Sequence, residues 1–260
     1  MANPDHRGWW RRFAALPKDS TVKTLAFAFA IALVSAFVVS VVSVTLRPLQ
    51  KANLERERQA LIVSIVSRAI GETGPLTAHV VELATGRVTP DIDPVTFDQE
   101  EAAKKPESSI AIPREADSAG INRRANYATV FIRREGGKPA LIVLPVHGAG
   151  YQSTLYGYLA LRGDGNTVAA LNFYKQGETP GLGARIAEPA WQSLWPGKRL
   201  ADDSGTIRIS VVRGMGTGPN EVDGITGATR TGTGVSNLLR FWLGDYGFRR
   251  FLDRVKAGEI

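Results

Sequence analysis

The chain has 260 residues, no cysteine and three histidines, and its 32 lysines and arginines outnumber its 25 acidic residues. The absence of cysteine excludes disulfide bonds, thiolate nucleophiles, and metal or iron–sulfur sites held by cysteine. His6, His79 and His147 lack the spacing of metal ligands, so we expect no metal site. The basic excess comes without a basic recognition helix or a known binding module, which argues against nucleic acid as a partner.

A basic and aromatic tail opens the chain. Arg11 and Arg12 lie directly after Trp9 and Trp10. This combination is typical of segments at a membrane surface, so we expect the tail to contact membrane lipid. We assign residues 1–23 to it.

Residues 24–46 carry no charged side chain. As a helix this run would be about 35 Å long, enough to cross the hydrocarbon core of a bilayer. It is longer than the roughly 7–15 apolar residues of a signal peptide and lacks a clear cleavage site, which predicts a retained transmembrane helix. The apolar run ends at Arg47-Pro48. Five basic residues precede the run and four follow it closely, and this small excess leans toward a cytoplasmic N-terminus.

The next two segments carry weaker signals. Residues 47–70 predict a helical connector, which is charged at first and then apolar through the run LIVSIV. Residues 71–121 give mixed signals, because prolines at positions 75, 90, 94 and 106 interrupt them and residues 100–107 have the composition of a solvated surface stretch.

The middle of the chain is rich in β-forming residues. Short turns separate two pairs of apolar runs, which is the pattern of two β-hairpins. The runs are residues 127–132 and 140–146 around Gly136-Gly137, and residues 155–161 and 167–174 around Asp164-Gly165.

A further strand is expected at residues 207–213, and helices are expected near residues 189–194 and from Gly234 toward the C-terminus. Strands and a few helices that do not alternate regularly predict the α+β class. We therefore expect one transmembrane helix followed by a mixed α+β domain over residues 71–260.

The glycine-rich segment GETPGLGARI covers residues 177–186 and follows a predicted strand. Its glycines expose backbone N–H groups and allow a planar ligand to approach the main chain. Glu178 and Thr179 add hydrogen-bonding groups, and Leu182 adds an apolar face. Judged on these residues alone, an ordinary glycine–proline turn remains the alternative.

The segment DGITGATRTG covers residues 223–232 and surrounds Thr226, Thr229 and Thr231 with small residues. It lacks the Lys-Ser/Thr ending of a Walker loop and the glycine spacing of a Rossmann fingerprint. Small residues and hydroxyls before a helix can still bind phosphate. No base adjoins these threonines, so we predict no catalytic residue in this chain.

Residues 223–231 resemble the S/T-G-A-T-x-T flavinylation motif of FMN-binding domains. Four longer segments are similar to the C subunit of the Na+-translocating NADH:quinone reductases, and the resemblance covers most of the chain from the membrane helix onward. These segments are PVHGAGYQSTLYGYLAL (145–161), GETPGLGARI (177–186), EPAWQSLWPGK (188–198) and FWLGDYGFRRFL (241–252).

The resemblance implies FMN attached by a phosphoester bond to Thr229 by a separate, FAD-dependent flavin transferase. It implies one-electron transfer within a multi-subunit, Na+-translocating NADH:ubiquinone reductase of the bacterial inner membrane. Other subunits would handle the pyridine nucleotide and the quinone, so this chain alone would hold no complete active site. It further implies a cytoplasmic N-terminus and a periplasmic flavin domain.

The same resemblance assigns cofactor-binding residues in two groups and two single positions. They are Thr226, Gly227, Ala228 and Thr231 beside Thr229; Glu178, Thr179, Leu182 and Gly183 near the isoalloxazine; Arg213, where the family often has lysine; and Tyr156. A cation near the ring, Arg213 or Lys198, would stabilise a reduced, anionic flavin and raise its potential.

The chain departs from the family pattern at several places that do not touch Thr229 itself. Thr226 stands where serine is usual, and Gly232 where serine is common. Lys175-Gln176 replaces a frequent histidine, and Tyr151-Gln152 replaces a more usual Leu-Trp. The replacements at Lys175-Gln176 and Tyr151-Gln152 could change the contacts and the redox potential of the flavin.

Three alternatives remain at this point. The nearest is the equivalent FMN-carrying subunit of a ferredoxin:NAD+ electron-transport complex, against which the long segment before Tyr127 and the YGYLAL and FWLG stretches argue. The others are a membrane-anchored binding module without redox chemistry and a purely structural subunit.

Overall fold

The computed structural model describes Pro17, residues 20–46 and residues 76–260 with their side chains, and residues 47–70 as backbone only. Most of the predicted basic tail and the first residues of the predicted soluble domain therefore lie outside the described residues. The chain divides into two units, Met1–Glu57 and Arg58–Ile260.

The first helix, α1, is Thr21–Ile70. Its first part, Thr21–Leu46, has a mean hydropathy of 2.7 and is the one helix among the described residues that is long and apolar enough to cross a membrane. Large apolar side chains such as Phe27, Phe29 and Phe37 are about two-thirds exposed, with relative accessibilities of 68%, 68% and 69%. This surface has the length and composition of a membrane span.

The apolar run ends at Arg47-Pro48 as predicted, but the helix continues through this pair. Pro48 has no N–H to donate to the carbonyl of Val44 four residues earlier, so the helix lacks one hydrogen bond there. The backbone of the predicted connector is helical to Ile70, whereas its side chains lie outside the described part of the chain.

The second unit is built on a six-stranded antiparallel sheet. Its strands are β1 Thr77–Glu82, β2 Arg87–Thr89, β5 Tyr127–Glu135, β6 Lys138–Ala149, β7 Thr154–Arg162 and β8 Val168–Lys175. Their order in the sheet is β2-β1-β5-β6-β7-β8. The two predicted hairpins are present as β5–β6 and β7–β8.

Shorter elements surround the sheet and complete the α+β fold that the sequence predicts. Two strand pairs are the antiparallel β3 Ser109–Ala111 with β4 Arg123–Ala125, and the parallel β9 Ser210–Val211 with β10 Glu221–Val222. The helices are α2 Gln99–Lys104, α3 Pro189–Gln192, α4 Thr229–Trp242 and α5 Arg249–Lys256, and single 3-10 turns lie at Pro106–Ser108 and Gly183–Ala187.

Two expectations about this unit need correction. The strand expected at residues 207–213 is reduced to Ser210–Val211, because its partner strand β10 offers only two residues for pairing. The helix expected from Gly234 begins five residues earlier, at Thr229. The hairpin β1–β2 was not predicted; it lies in the proline-interrupted region, where the apolar run around Val80 and Val81 is short.

The main hydrophobic core lies between one face of the sheet and the helices α3, α4 and α5. Leu144 and Leu159 from the sheet belong to the same buried cluster as Leu238 and Trp242 from α4 and Phe251 from α5. Because side chains alternate along a strand, the opposite face carries a second cluster. This second cluster contains Leu141, Val143, Tyr158, Ala160, Ala169 and Ala170.

Helix α4 packs so closely against the end of β6 that their backbones are in contact. A Cβ atom on Gly234 would lie 2.5 Å from the carbonyl oxygen of Ala149, and a Cβ on Gly148 would lie 2.7 Å from the Cβ of Leu238. Only glycine fits at either position. The indole N–H of Trp242 also donates to the carbonyl of His147 at 2.7 Å, so the helix is fixed to β6 along its length.

The partly buried ring of His147 provides a test of this packing. Its ring centroid lies 4.9 Å from that of Trp242 and 5.5 Å from that of Tyr156, and burial lowers its pKa to about 4 from the usual 6.5. Between these two values the unfolded chain takes up a proton that the folded chain does not. The free energy of unfolding should therefore fall by up to about 3 kcal/mol as the pH drops through this interval.

We expect this loss to be visible in urea unfolding of the full chain in detergent between about pH 7 and about pH 4.5. The control is His147→Phe, which keeps an aromatic ring and removes the titrating group. Carboxylates titrate in both proteins and cancel in the comparison, so an equal pH slope in the two would contradict the lowered pKa of His147.

Candidate functional site

An open cleft of about 540 Å³ lies between β9, the turn that follows it, and the N-terminus of α4. Its volume falls within the roughly 300–1,000 Å³ of small-molecule pockets. The lining residues come from two segments of the chain that are adjacent in space. They are Val211, Val212, Arg213 and Gly214 from the first segment, and Gly224, Ile225, Thr226, Gly227, Ala228, Thr229, Gly232 and Thr233 from the second.

The start of the second segment is anchored by hydrogen bonds. The N–H of Gly224 donates to the carbonyl of Gly214 at 2.9 Å, and the carboxylate of Asp223 accepts from the N–H of Gly216 at 2.8 Å. The carbonyl of Asp223 accepts from the indole N–H of the buried Trp191 at 3.0 Å. These bonds hold the two walls of the cleft together and tie them to the core.

The segment then turns into helix α4. The N–H of Ala228 donates to the carbonyl of Ile225 at 3.0 Å, and Gly227 within this turn has a φ of +80°. Ala228 is the N-cap, and it has no side chain that can accept from the first turn. The uncapped N-terminus of a 14-residue helix therefore faces the cleft, with N–H groups and a dipole that favour an anion.

The threonines around this turn differ in what their hydroxyls do. Thr226 and Thr229 are exposed and line the cleft. Thr231 is only 1% exposed, and its hydroxyl donates to the carboxylate of Glu178 at 2.6 Å. The hydroxyl of Thr233 donates back to the carbonyl of Thr229 at 3.0 Å. Among these four threonines, Thr226 and Thr229 are exposed, and no hydrogen bond of their hydroxyls is found among the described contacts.

Glu178 is buried and does not line the cleft. Its Oε1 accepts from the backbone N–H groups of Tyr151, Gln152 and Ser153 at 3.1, 2.9 and 3.1 Å, while Thr231 donates to Oε2. Burial raises the pKa of this carboxyl, but the hydrogen bond from Thr231 and those from the backbone outweigh burial and hold the pKa below its ordinary value. The carboxylate is therefore ionised at neutral pH and bound by donors of its own chain.

The GETPGLG segment packs directly against the threonine segment. A Cβ on Gly227 would lie 2.9 Å from Cδ2 of Leu182, so this half-exposed leucine rests on the turn. A Cβ on Gly183 would lie 2.5 Å from the hydroxyl oxygen of Thr231. Thr179 is exposed, and its hydroxyl accepts from the side-chain amide of Gln152 at 3.3 Å. The fold thus joins the two segments that the sequence singles out.

The remaining candidates separate into those that the fold brings to the cleft and those that it does not. Arg213 lines the cleft. Lys198 is not among the lining residues, and its ammonium donates to the carbonyl of Gly218 at 3.3 Å. Tyr156 also lies elsewhere: its ring stacks on His147, and the ammonium of Lys175 lies 4.4 Å from its centroid.

Several residues of the site were not identified from the sequence. Val211, Val212, Gly214 and Gly224 line the cleft, and the hydroxyl of Ser236 accepts from the N–H of Val211 at 2.9 Å. The first two lie inside the strand that was expected at residues 207–213, but nothing in their pattern indicates that this strand faces the threonine segment.

Comparisons with known proteins point to one family. A family model described as an FMN-binding domain matches residues 150–244. The chain is 41% identical to the C subunit of the Na(+)-translocating NADH-quinone reductase of Pseudomonas aeruginosa and 40% identical to that of Vibrio alginolyticus. In both cases the match covers 93% of this chain and 98% of the relative.

Solved structures agree with these sequence matches. The crystal structure of Shewanella oneidensis NqrC is 35% identical with a TM-score of 0.72, over 78% of this chain and 99% of that one. The structure of the Na(+)-translocating NADH-quinone reductase C subunit from Parabacteroides distasonis is 28% identical with a TM-score of 0.57, over 80% of this chain and 96% of that one.

The contact between Leu182 and Gly227 can be tested with two matched glycine variants. Gly181 and Gly227 have φ values of +73° and +80°, so alanine at either costs about 1–2 kcal/mol of backbone strain. No atom lies within 4 Å of a Cβ at Gly181, whereas a Cβ at Gly227 meets Leu182. We expect Gly181→Ala to lower Tm by about 2–6 °C and Gly227→Ala to lower it by about one degree more, because the half-exposed side chain of Leu182 can rotate away from the new methyl group at little cost.

Thermal unfolding of the full chain followed by circular dichroism gives both values. The double variant Gly227→Ala/Leu182→Ala should lose this excess, because the shorter side chain makes room for the new methyl group. If Leu182→Ala changes Tm by the same amount in the wild type and in Gly227→Ala, the close contact is not present in solution.

Proposed function

The chain belongs to the family of C subunits of the Na(+)-translocating NADH-quinone reductases, and we propose that it carries FMN as a phosphoester on Thr229. As a member of this family it is an FMN-binding electron-transfer subunit of a membrane oxidoreductase complex, with the other subunits as its partners. The relatives match along 93% of the chain, so the ferredoxin:NAD+ complex is set aside as an alternative.

The observation that carries the proposal is the position of Thr229. It is the first residue of α4, it is exposed, and it lines the cleft at a helix N-terminus that no side chain caps. A phosphate esterified to its hydroxyl would meet the N–H groups and the positive end of the helix dipole. Thr231, two residues further on, is buried with its hydroxyl engaged, which supports Thr229 as the attachment point.

The glycines of the cleft set how closely its two walls pack against each other. A Cβ on Gly224 would lie 2.2 Å from the carbonyl oxygen of Val212, and one on Gly232 would lie 3.0 Å from Cγ1 of Val211. The walls can approach each other this closely because these positions lack side chains. Thr226, Gly227 and Ala228 would border the phosphate end of the cofactor.

The attachment reaction balances as a transfer from FAD, as the motif resemblance implies. The hydroxyl oxygen of Thr229 would bond to the phosphorus of the FMN half, the bond between the two phosphates would break, and AMP would leave. The hydroxyl proton must go to a base. This chain would supply the hydroxyl and its position, and a separate flavin transferase would supply the base.

Bound FMN supplies one-electron redox chemistry, and the residues of this chain position it and set its electrostatic surroundings. Arg213 places a positive charge on the cleft wall, where it would favour the reduced, anionic form of a flavin. Leu182 offers an apolar surface beside the Gly227 turn. Thr179 is exposed on the same segment, but it is not among the residues that line the cleft.

The protein is anchored in a membrane by the apolar part of α1. We further propose that residues 24–46 cross the inner membrane with the N-terminus in the cytoplasm, that residues 47–70 form the connector, and that residues 71–260 lie in the periplasm. The small excess of basic residues before the apolar run, five against four after it, supports this orientation. A covalent bond to the cofactor would prevent its loss outside the cytoplasm.

The central test is the intact mass of the protein purified from a host that contains an active flavin transferase. The wild type should gain the mass of FMN less one water, and Thr229→Ala should gain nothing. Thr233→Ala serves as the control. Thr233 is exposed on the same helix but is not the proposed attachment point, so this variant should gain the same mass as the wild type. An unmodified wild type, with the transferase active on another substrate, would sink the proposal and favour a binding module without redox chemistry.

The role of Arg213 is tested by the flavin midpoint potential. We expect Arg213→Ala to lower the potential of a one-electron step by about 30–60 mV, which corresponds to a roughly three- to tenfold change in the equilibrium constant. Redox titration of the flavinylated protein measures it. Lys198→Ala removes a charge that does not line the cleft and should change the potential less. Equal potentials for Arg213→Ala and wild type would contradict the role.

A further inference from the structure

The carboxylate of Glu178 lies behind the cleft and binds two segments of the chain at once. Oε1 is within hydrogen-bond distance of three consecutive backbone N–H groups, those of residues 151–153. Oε2 accepts the hydroxyl of Thr231 at 2.6 Å, across 53 positions of sequence. Hydrogen bonds to an ionised carboxylate are about twice as strong as neutral ones.

Two glycines pack closely against this carboxylate. A Cβ on Gly150 would lie 2.6 Å from Oε1, and a Cβ on Gly183 would lie 2.8 Å from Oε2. The hydroxyl of Ser153 accepts from the N–H of Gly177 at 2.7 Å, so the 151–153 turn and the GETPGLG segment are also joined next to the carboxylate. Three segments therefore meet at Glu178: this turn, its own loop, and the first turn of α4.

We propose that Glu178 is a positioning residue of the attachment site and not a contact of the flavin. By holding the hydroxyl of Thr231, it fixes the first turn of α4 and so the place of Thr229, two residues earlier, at the cleft. By holding its own loop, it keeps Leu182 on the Gly227 turn. This inference rests on the proposed attachment of FMN to Thr229.

Glu178 can position the first turn of α4 because its one carboxylate accepts hydrogen bonds from several groups at once. Without the negative charge, the hydrogen bonds from the N–H groups of residues 151–153 weaken, and the buried hydroxyl of Thr231 loses its charged acceptor. Buried polar groups without partners are costly, so the first turn of α4 would move to find other ones. Thr229 would move with it.

The test measures the initial rate of flavin attachment to full-length variants, using purified flavin transferase and FAD and following the mass gain. Glu178→Gln keeps the size of the side chain but loses the charge, and it should be modified at least about tenfold more slowly. Thr231→Val keeps the shape but loses the donor, and it should also be slow. Thr231→Ser keeps the hydroxyl and should recover most of the wild-type rate.

Two further measurements separate positioning from a general loss of structure. The double variant Glu178→Gln/Thr231→Val should be no slower than the slower single variant, because both changes break the same contact. Asp202→Asn alters another carboxylate that accepts backbone N–H groups, those of Ser204 and Thr206, in a loop outside the cleft. It should react at the wild-type rate, and Tm is measured for every variant.

The outcomes distinguish the two proposals. If the wild type gains no flavin, the attachment to Thr229 fails. If the wild type is modified on Thr229 but Thr231→Val reacts as fast as Thr231→Ser, only the positioning role of Glu178 is overturned. The valine and serine pair decides this even if Glu178→Gln does not fold.

Discussion

The site depends on how closely helix α4 lies against the end of β6. Backbone meets backbone at Gly234 and Ala149, and the indole of Trp242 bonds to the carbonyl of His147 farther along the helix. Because the helix is fixed in this way, its N-terminus has one position relative to the sheet. The turn that carries Thr229 opens the helix at that position, so the packing of the core determines where the cleft forms.

Charge is distributed around the cleft in a way that suits an anionic cofactor. The helix N-terminus and Arg213 both favour negative charge in the cleft. The carboxylate of Glu178 is nearby, but it lies behind the wall and is compensated by hydrogen bonds from its own chain. The same acid in the open cleft would repel a phosphate, so its position behind the wall also favours an anionic ligand.

The sequence predicts those parts of the fold that local pattern controls. The strands β5 to β8 were identified because continuous apolar runs flank turns such as Gly136-Gly137. The start of α4 was missed because the threonines and glycines at 229–234 have low helix propensity. Contacts from elsewhere in the fold stabilise this turn, including those of Thr231 with Glu178 and of Ser236 with Val211.

The same distinction holds for the site. The threonine motif is contiguous, so Thr226 and Thr229 could be named from the sequence, and the structure places both on the cleft. Glu178 could be named from its motif, but its partners lie 25 to 53 residues away in the sequence, and no local pattern shows that its oxygens are already occupied. Val211 and Val212 were missed as lining residues for the same reason.

A cleft with so many exposed lining residues buries only part of a ligand, which limits the affinity that burial alone can provide. A covalent bond at Thr229 would remove this dependence on affinity and leave the cleft free to stay open toward an electron-transfer partner.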